Sequence, residues 1–285
     1  MKAPKFKYIR AESVEEVYDA FANYGDDALI LAGGQSLMPI LNMRLSQPKV
    51  LVDINPISDL SGIEQHDQLL RIGATTRHVE VATADLVASE LPLIGCAIRQ
   101  VGHRGVRNRG TFGGSLAHAD PAAELPACAV ALNATMVLQS RAGERRVEAA
   151  DFFVSVMSTD RRPDEILTAV ELPAPTSDDV WAFHELSRHH GDFAIAGVAA
   201  TAKRSADGLD ELRLVVFGCE ERPRVSEIAA SMASTKKDPA ETAAAVANSL
   251  NPMSDLPTDI EIIRIQARTL IERSLVDLFE GRRDG

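Results

Sequence analysis

A nine-residue stretch, LPAPTSDDV at positions 172–180, separates two regions of different secondary-structure grammar, and this division constrains the fold more than any other feature of the chain. Its two prolines and two aspartates predict a linker. Before it, helical and strand signals alternate. Residues 13–24 predict a helix, with Ser13 as N-cap, Glu16 three positions later as its capping-box partner and Gly25 as the stop. Short apolar runs at 28–32, 50–54, 69–74, 135–139 and 165–171 predict strands. Helical spacing marks 79–86, 91–101 and 122–132, and a short turn of helix within 37–45 has to start near Pro39. After the linker, strands are expected at 183–186, 194–203 and 212–217. Helices follow at 226–233, 239–249 and 259–280, the last with apolar residues at 260, 263, 267, 270, 271, 275 and 278. Strands followed by helices mark an α+β class.

Composition removes whole classes of function. With 285 residues the chain has room for two ordinary domains, and its 45% hydrophobic and 25% charged residues are typical of a soluble globular protein. No apolar run approaches the 18 residues of a membrane span, and the N-terminal MKAPKFKYIRAESVEE lacks the apolar core of a signal peptide, so a cytoplasmic location is expected. A net charge of −11 argues against nucleic acid and anionic membranes as partners. Cys96, Cys128 and Cys219 stand 32 and 91 residues apart, without the spacing of a zinc or iron–sulfur site, and are expected to be buried apolar residues. His66, His78, His118, His189 and His190 show no metal spacing either, and no nucleophile elbow is present.

Two segments carry ligand chemistry. Residues 32–36 (AGGQS) directly follow an apolar strand, and residues 111–115 (TFGGS) close a basic, glycine-rich run that starts at Gly102. Paired glycines let a ligand approach the backbone and offer it successive N–H groups, and the hydroxyls of Ser36, Thr111 and Ser115 add donors. Each pair alone makes ordinary turns; two of matching form suggest a split diphosphate site. His103, Arg104, Arg107 and Arg109 lend the second segment a positive field. A nicotinamide-binding Rossmann unit is a rival, because Asp53 lies about 20 residues beyond the first glycine pair. Against it, the third glycine of GxGxxG is missing and Pro39 damages the helix start.

The motifs AGGQSLMP and TFGGSLAHADPAAELPA, about 80 residues apart, resemble the two FAD-pyrophosphate loops of molybdenum hydroxylase medium subunits. That family includes the carbon monoxide dehydrogenase medium subunit and the xanthine dehydrogenase flavin domain. The resemblance runs through LVDI, IGATTRH, EILTAVELP, LSRHHGDFAIAG and the helical tail, essentially the whole chain. It implies an α+β fold: a two-part FAD-binding domain of the PCMH (vanillyl-alcohol-oxidase-like) type over 1–175, with subdomains of about 1–56 and 57–175. A smaller α+β domain with a three-stranded sheet and helices follows over 176–285.

The resemblance also implies a non-covalent FAD. Ala32, Gly33, Gly34, Gln35, Ser36 and Leu37 hold one side of the diphosphate, and Thr111, Gly113, Gly114 and Ser115 hold the other. His118 joins the wall of the site, and Glu124 matches an acidic position near the ribityl or ribose hydroxyls. Val101 or Gly102 lies near the ring, Ile166 or Leu167 supplies an apolar wall, and Phe193 covers a ring face. Where relatives carry a lysine, His184 or Arg188 is the candidate cation. The implied function is an electron-transfer subunit working with a large molybdopterin subunit and a small [2Fe-2S] subunit in an (LMS)2 heterohexamer. A self-contained flavin oxidoreductase is the alternative, although residues 181–285 leave little room for a substrate domain.

Overall fold

The computed structural model describes residues 2–205, 208–233, 238–254 and 258–281. The first region contains a three-stranded, fully parallel sheet in the order Lys7–Arg10, Val50–Asp53, Ala28–Leu31. The helix Val14–Tyr24 covers it, capped by the Ser13 hydroxyl and stopped by Gly25 at φ 51°. Val50, Leu51 and Val52 are buried, as the central strand requires. Ala28–Leu31 is only partly buried, since its far side opens onto a cleft.

Next comes a five-stranded antiparallel sheet in the order Ile63–His66, Leu69–Gly73, Ile166–Pro173, Thr135–Ser140, Gly143–Glu148. Its two outer strands, IEQH and GERRVE, have no apolar period and were not expected from sequence. The region expected as one helix over 79–86 breaks into His78–Thr83 and Asp85–Glu90, because Ala84 adopts extended backbone at φ −74°, ψ 124°. The linker is shorter than LPAPTSDDV suggests: Ile166–Pro173 runs into it from one side and Asp179–Leu186 begins on the other.

Beyond it lies an antiparallel sheet of four strands, Asp179–Leu186, Ala196–Arg204, Leu209–Phe217 and Arg224–Val225. Three were expected. The fourth has two residues, too few to show a period. The helices Glu227–Ala233, Pro239–Ser249 and Ile260–Glu280 cover one face. In the long helix Ile263, Ala267, Leu270, Ile271, Leu275 and Leu278 are buried, whereas Ile260 is exposed in its first turn. The other face, with Phe183, Ala199, Val215 and Phe217, packs into the core built around the helix Glu124–Ala131. All eight residues of that helix are buried. It therefore joins the front of the molecule to the back, and its first residue reaches the cleft.

Candidate functional site

A cleft of about 690 Å³ opens between the parallel sheet, the two glycine segments and the turn before Phe193. Ala32, Gly33, Gly34, Gln35, Ser36, Leu37, Val101, Gly102, Thr111, Gly113, Gly114, Ser115, His118, Glu124, Ile166, Leu167 and Phe193 all line it. Segments far apart in sequence thus meet at one surface, of the size that encloses a cofactor-sized ligand.

The two segments differ in what they offer. The N–H groups of Gly33, Gly34, Gln35 and Ser36 make no hydrogen bond among the described residues and remain available to an anion. In the second segment the donors are already used. Phe112 N–H goes to Thr76 O, Gly113 N–H to Ala74 O, Gly114 N–H to Thr111 Oγ1 and Ser115 N–H to Thr111 O. Phe112–His118 is a helix with Thr111 as N-cap, not a loop. The expectation of two equivalent N–H cradles is corrected: one segment presents backbone donors, while the other presents side chains and a close-packed surface.

Bracing residues that sequence reasoning missed hold the segments together. Asn55 Nδ2 donates to Ala32 O at 2.9 Å, and its Oδ1 accepts from Arg77 Nη2 at 2.6 Å. Arg77 Nη1 reaches on to Arg109 O. His78, buried on the cleft wall, bonds Thr111 O through Nε2 at 2.9 Å. A carbonyl only accepts, so Nε2 carries the proton and the unpartnered Nδ1 is a bare lone pair. Burial holds the ring neutral, its pKa pushed down to about 4 although the bond to Thr111 opposes this. The signal for these residues was position alone: Asn55 follows the second strand, and Arg77 and His78 sit in IGATTRH.

The expected cations lie elsewhere. Arg107 Nη1 donates to the carbonyls of Val101 and Gly102, and none of His103, Arg104, Arg107 and Arg109 lines the cleft. His184 is a correction too. Strand alternation turns it to the opposite face from Phe183, where its Nε2 meets Asp277 Oδ2 of the long helix at 2.7 Å. It does not line the cleft, and neither does Arg188. Arg161 is the arginine that does, with Nη1 donating to Arg162 O and Glu165 O. Phe193 stands 65% exposed beside Gly191 and Asp192 at the mouth. Asp53, the acid of the Rossmann alternative, bonds Tyr8 and Asn55 outside the cleft.

Residues 4–175 match the family described as the FAD binding domain in molybdopterin dehydrogenase. The chain belongs to that family. The 6-hydroxypseudooxynicotine dehydrogenase complex subunit alpha of Paenarthrobacter nicotinovorans is 38% identical over 96% of this chain and 95% of its own. Among solved structures, carbon monoxide dehydrogenase from Hydrogenophaga pseudoflava superimposes with a TM-score of 0.94 at 31% identity, each chain covered completely. Quinoline 2-oxidoreductase from Pseudomonas putida 86 does so with 0.93 at 35%, again over the full length of both. The family's cofactor is FAD, and this cleft fits it: free N–H groups for the diphosphate, apolar walls at Ile166, Leu167 and Val101, and a buried carboxyl at Glu124. No helix of the described residues is long and apolar enough to cross a membrane.

Proposed function

We propose that this chain is the FAD-carrying electron-transfer subunit of a heteromeric molybdenum hydroxylase. It takes electrons from a small [2Fe-2S] subunit and passes them to a terminal acceptor, while a large molybdopterin subunit carries out substrate oxidation. The observation that carries this reading is the row of free N–H groups at 33–36, facing a cleft shared with Thr111, Ser115 and Glu124. Bound FAD supplies the junction between one-electron carriers and a two-electron acceptor. The chain's own residues bind and orient it: Gly33–Ser36 hold the diphosphate with Thr111 and Ser115 opposite, and Ile166, Leu167 and Phe193 exclude water from the ring. FAD is held without a covalent bond to the chain.

The division at 175–176 separates the FAD-binding region from a C-terminal domain that seats the mouth of the cleft through residues 191–193. The assembly is (LMS)2, located in the cytoplasm. Molybdenum and the iron–sulfur clusters are expected on the partner chains. Co-purification from the native host tests the reading. A cluster-bearing small chain and a molybdenum-bearing large chain are expected in equimolar amounts. The isolated flavoprotein is expected to react with dithionite and an artificial acceptor but not with hydroxylation substrates. Substrate-dependent dye reduction by the single chain at the native rate would overturn it.

A further inference from the structure

The cleft is short of positive charge. Carboxyl groups of Asp26, Asp120, Glu124 and Asp192 line it, and among the described residues Arg161 is the only lysine or arginine that does. Arg161 belongs to the turn that leads into the strand Ile166–Pro173. Its Nη1 donates to Arg162 O at 2.9 Å and to Glu165 O at 2.7 Å, which uses both hydrogens of that nitrogen and fixes the guanidinium. Tying the turn takes no more than this. Nε and Nη2 make no hydrogen bond among the described residues, and no carboxylate of those residues forms an ion pair with Arg161. The acids nearby are already held: Arg145 binds Glu165 through Nε and Nη2 at 2.8 and 2.7 Å, and Asp160 through Nη1. Arg161 is half-buried, and burial works against its charge, yet an arginine stays protonated in such a place. A cation shielded from water and paired with no acid carries a desolvation cost that an anion in the cleft offsets.

We propose that Arg161 is the charge-compensating residue of the cofactor site, with its positive charge and its free Nε–H and Nη2–H groups set against the diphosphate of bound FAD. This rests on the reading of the cleft as the FAD site and goes beyond it. The row at 33–36 supplies neutral donors, and Arg161 supplies the cation. The diphosphate keeps its negative charge whether the flavin is oxidised or reduced, and a planar guanidinium fork matches phosphate oxygens. The attraction acts through space as well as by direct bonding, so its loss is read as a salt-dependent loss of affinity.

Flavin-free full chain is titrated with FAD by quenching of flavin fluorescence, at about pH 8, where ordinary imidazoles are neutral. Wild type, Arg161→Lys and Arg161→Met are compared in about 50 mM and about 500 mM NaCl. The wild-type dissociation constant is expected to rise several-fold with salt. Arg161→Met keeps an apolar stem without the charge, and is expected to bind roughly tenfold more weakly than wild type at the lower salt, a gap that narrows at the higher. Arg161→Lys restores a charge without the fork; it is expected to fall between the two and to keep the salt dependence. Equal affinity in Arg161→Met and wild type, or a gap of the same size at both salt concentrations, overturns the proposal while leaving the FAD site in place. A flavin midpoint potential shifted in Arg161→Met at unchanged affinity puts the charge at the ring and also overturns it. A wild-type dissociation constant indifferent to salt does the same, and decides the matter even where Arg161→Met fails to fold. Absence of FAD binding by the wild type at either salt overturns the cofactor reading and the proposal with it.

Discussion

A β-carbon added at Gly33 would collide with the Arg109 carbonyl oxygen, and one at Gly113 would stand 2.5 Å from the Ala74 β-carbon. Gly34 instead sits at φ 68°, and a β-carbon at Gly114 meets only the Thr111 side chain at close range. One glycine of each pair therefore serves protein packing, and the other shapes the ligand surface. Gly33→Ala and Gly113→Ala are expected to lower stability by about 1–3 kcal/mol through overpacking, seen as a reduced melting temperature of the apoprotein. Gly34→Val and Gly114→Val are expected to weaken FAD binding at least tenfold, about 1.4 kcal/mol, with some loss of stability from the left-handed backbone at Gly34 and the contact with Thr111 at Gly114; unchanged flavin occupancy in both would refute the assignment. At the same scale, pH acts with opposite signs on two groups. His78 has its pKa depressed to about 4, so the stability from keeping it neutral is present above pH 6.5 and lost as pH falls toward 4. Glu124 and Glu185 have theirs raised, so stability declines as pH rises from about 4.5 through 7 and 8. Melting curves of His78→Gln between pH 5 and 6.5 are expected to be flatter than wild type, with the glutamine amide still donating to Thr111. The sequence marked the ligand-facing residues because glycine pairs and small hydroxyl residues are chemically distinctive. It was silent on which N–H groups stay free, since Ala74 and Thr76, which occupy those of Gly113 and Phe112, belong to another part of the chain. His184 was misplaced because alternation gives two faces without saying which one meets the cleft.

At the scale of elements, strands with an apolar period and capped helices were legible, including Val50–Asp53 and Pro239–Ser249. The edge strands Ile63–His66 and Gly143–Glu148 were not, being largely solvent-facing and rich in polar residues. The helical state of the second glycine pair was also hidden. Glycines are poor helix formers, and the Thr111 cap with the Ala74 and Thr76 carbonyls supplies what propensity does not. How the two segments are braced depends on contacts between elements, foremost the Asn55–Arg77 pair. Asn55→Ala leaves the Ala32 carbonyl and one Arg77 donor unpaired and is expected to cost about 1–3 kcal/mol. Because Ala32 leads directly into the free N–H row, FAD affinity should fall as well. Calorimetry with and without FAD separates the two effects, and equal melting and affinity to wild type would contradict this role.

Taken as a whole, the molecule gathers its three larger sheets around one cleft and one buried helix, and the four-stranded sheet reaches that cleft through the turn carrying Phe193. Its overall class was readable from the change of grammar at 172–180, whereas the packing of Phe183 and Phe217 into the same core as Leu125 was not, because such contacts span more than 50 residues. The central claim, that this cleft holds one FAD without a covalent bond, is tested most directly by acid precipitation of the purified chain. One FAD per chain is expected in the supernatant, with a colourless pellet. Flavin retained in the pellet would contradict non-covalent binding, and a chain purified and reconstituted without taking up any FAD would contradict the site itself.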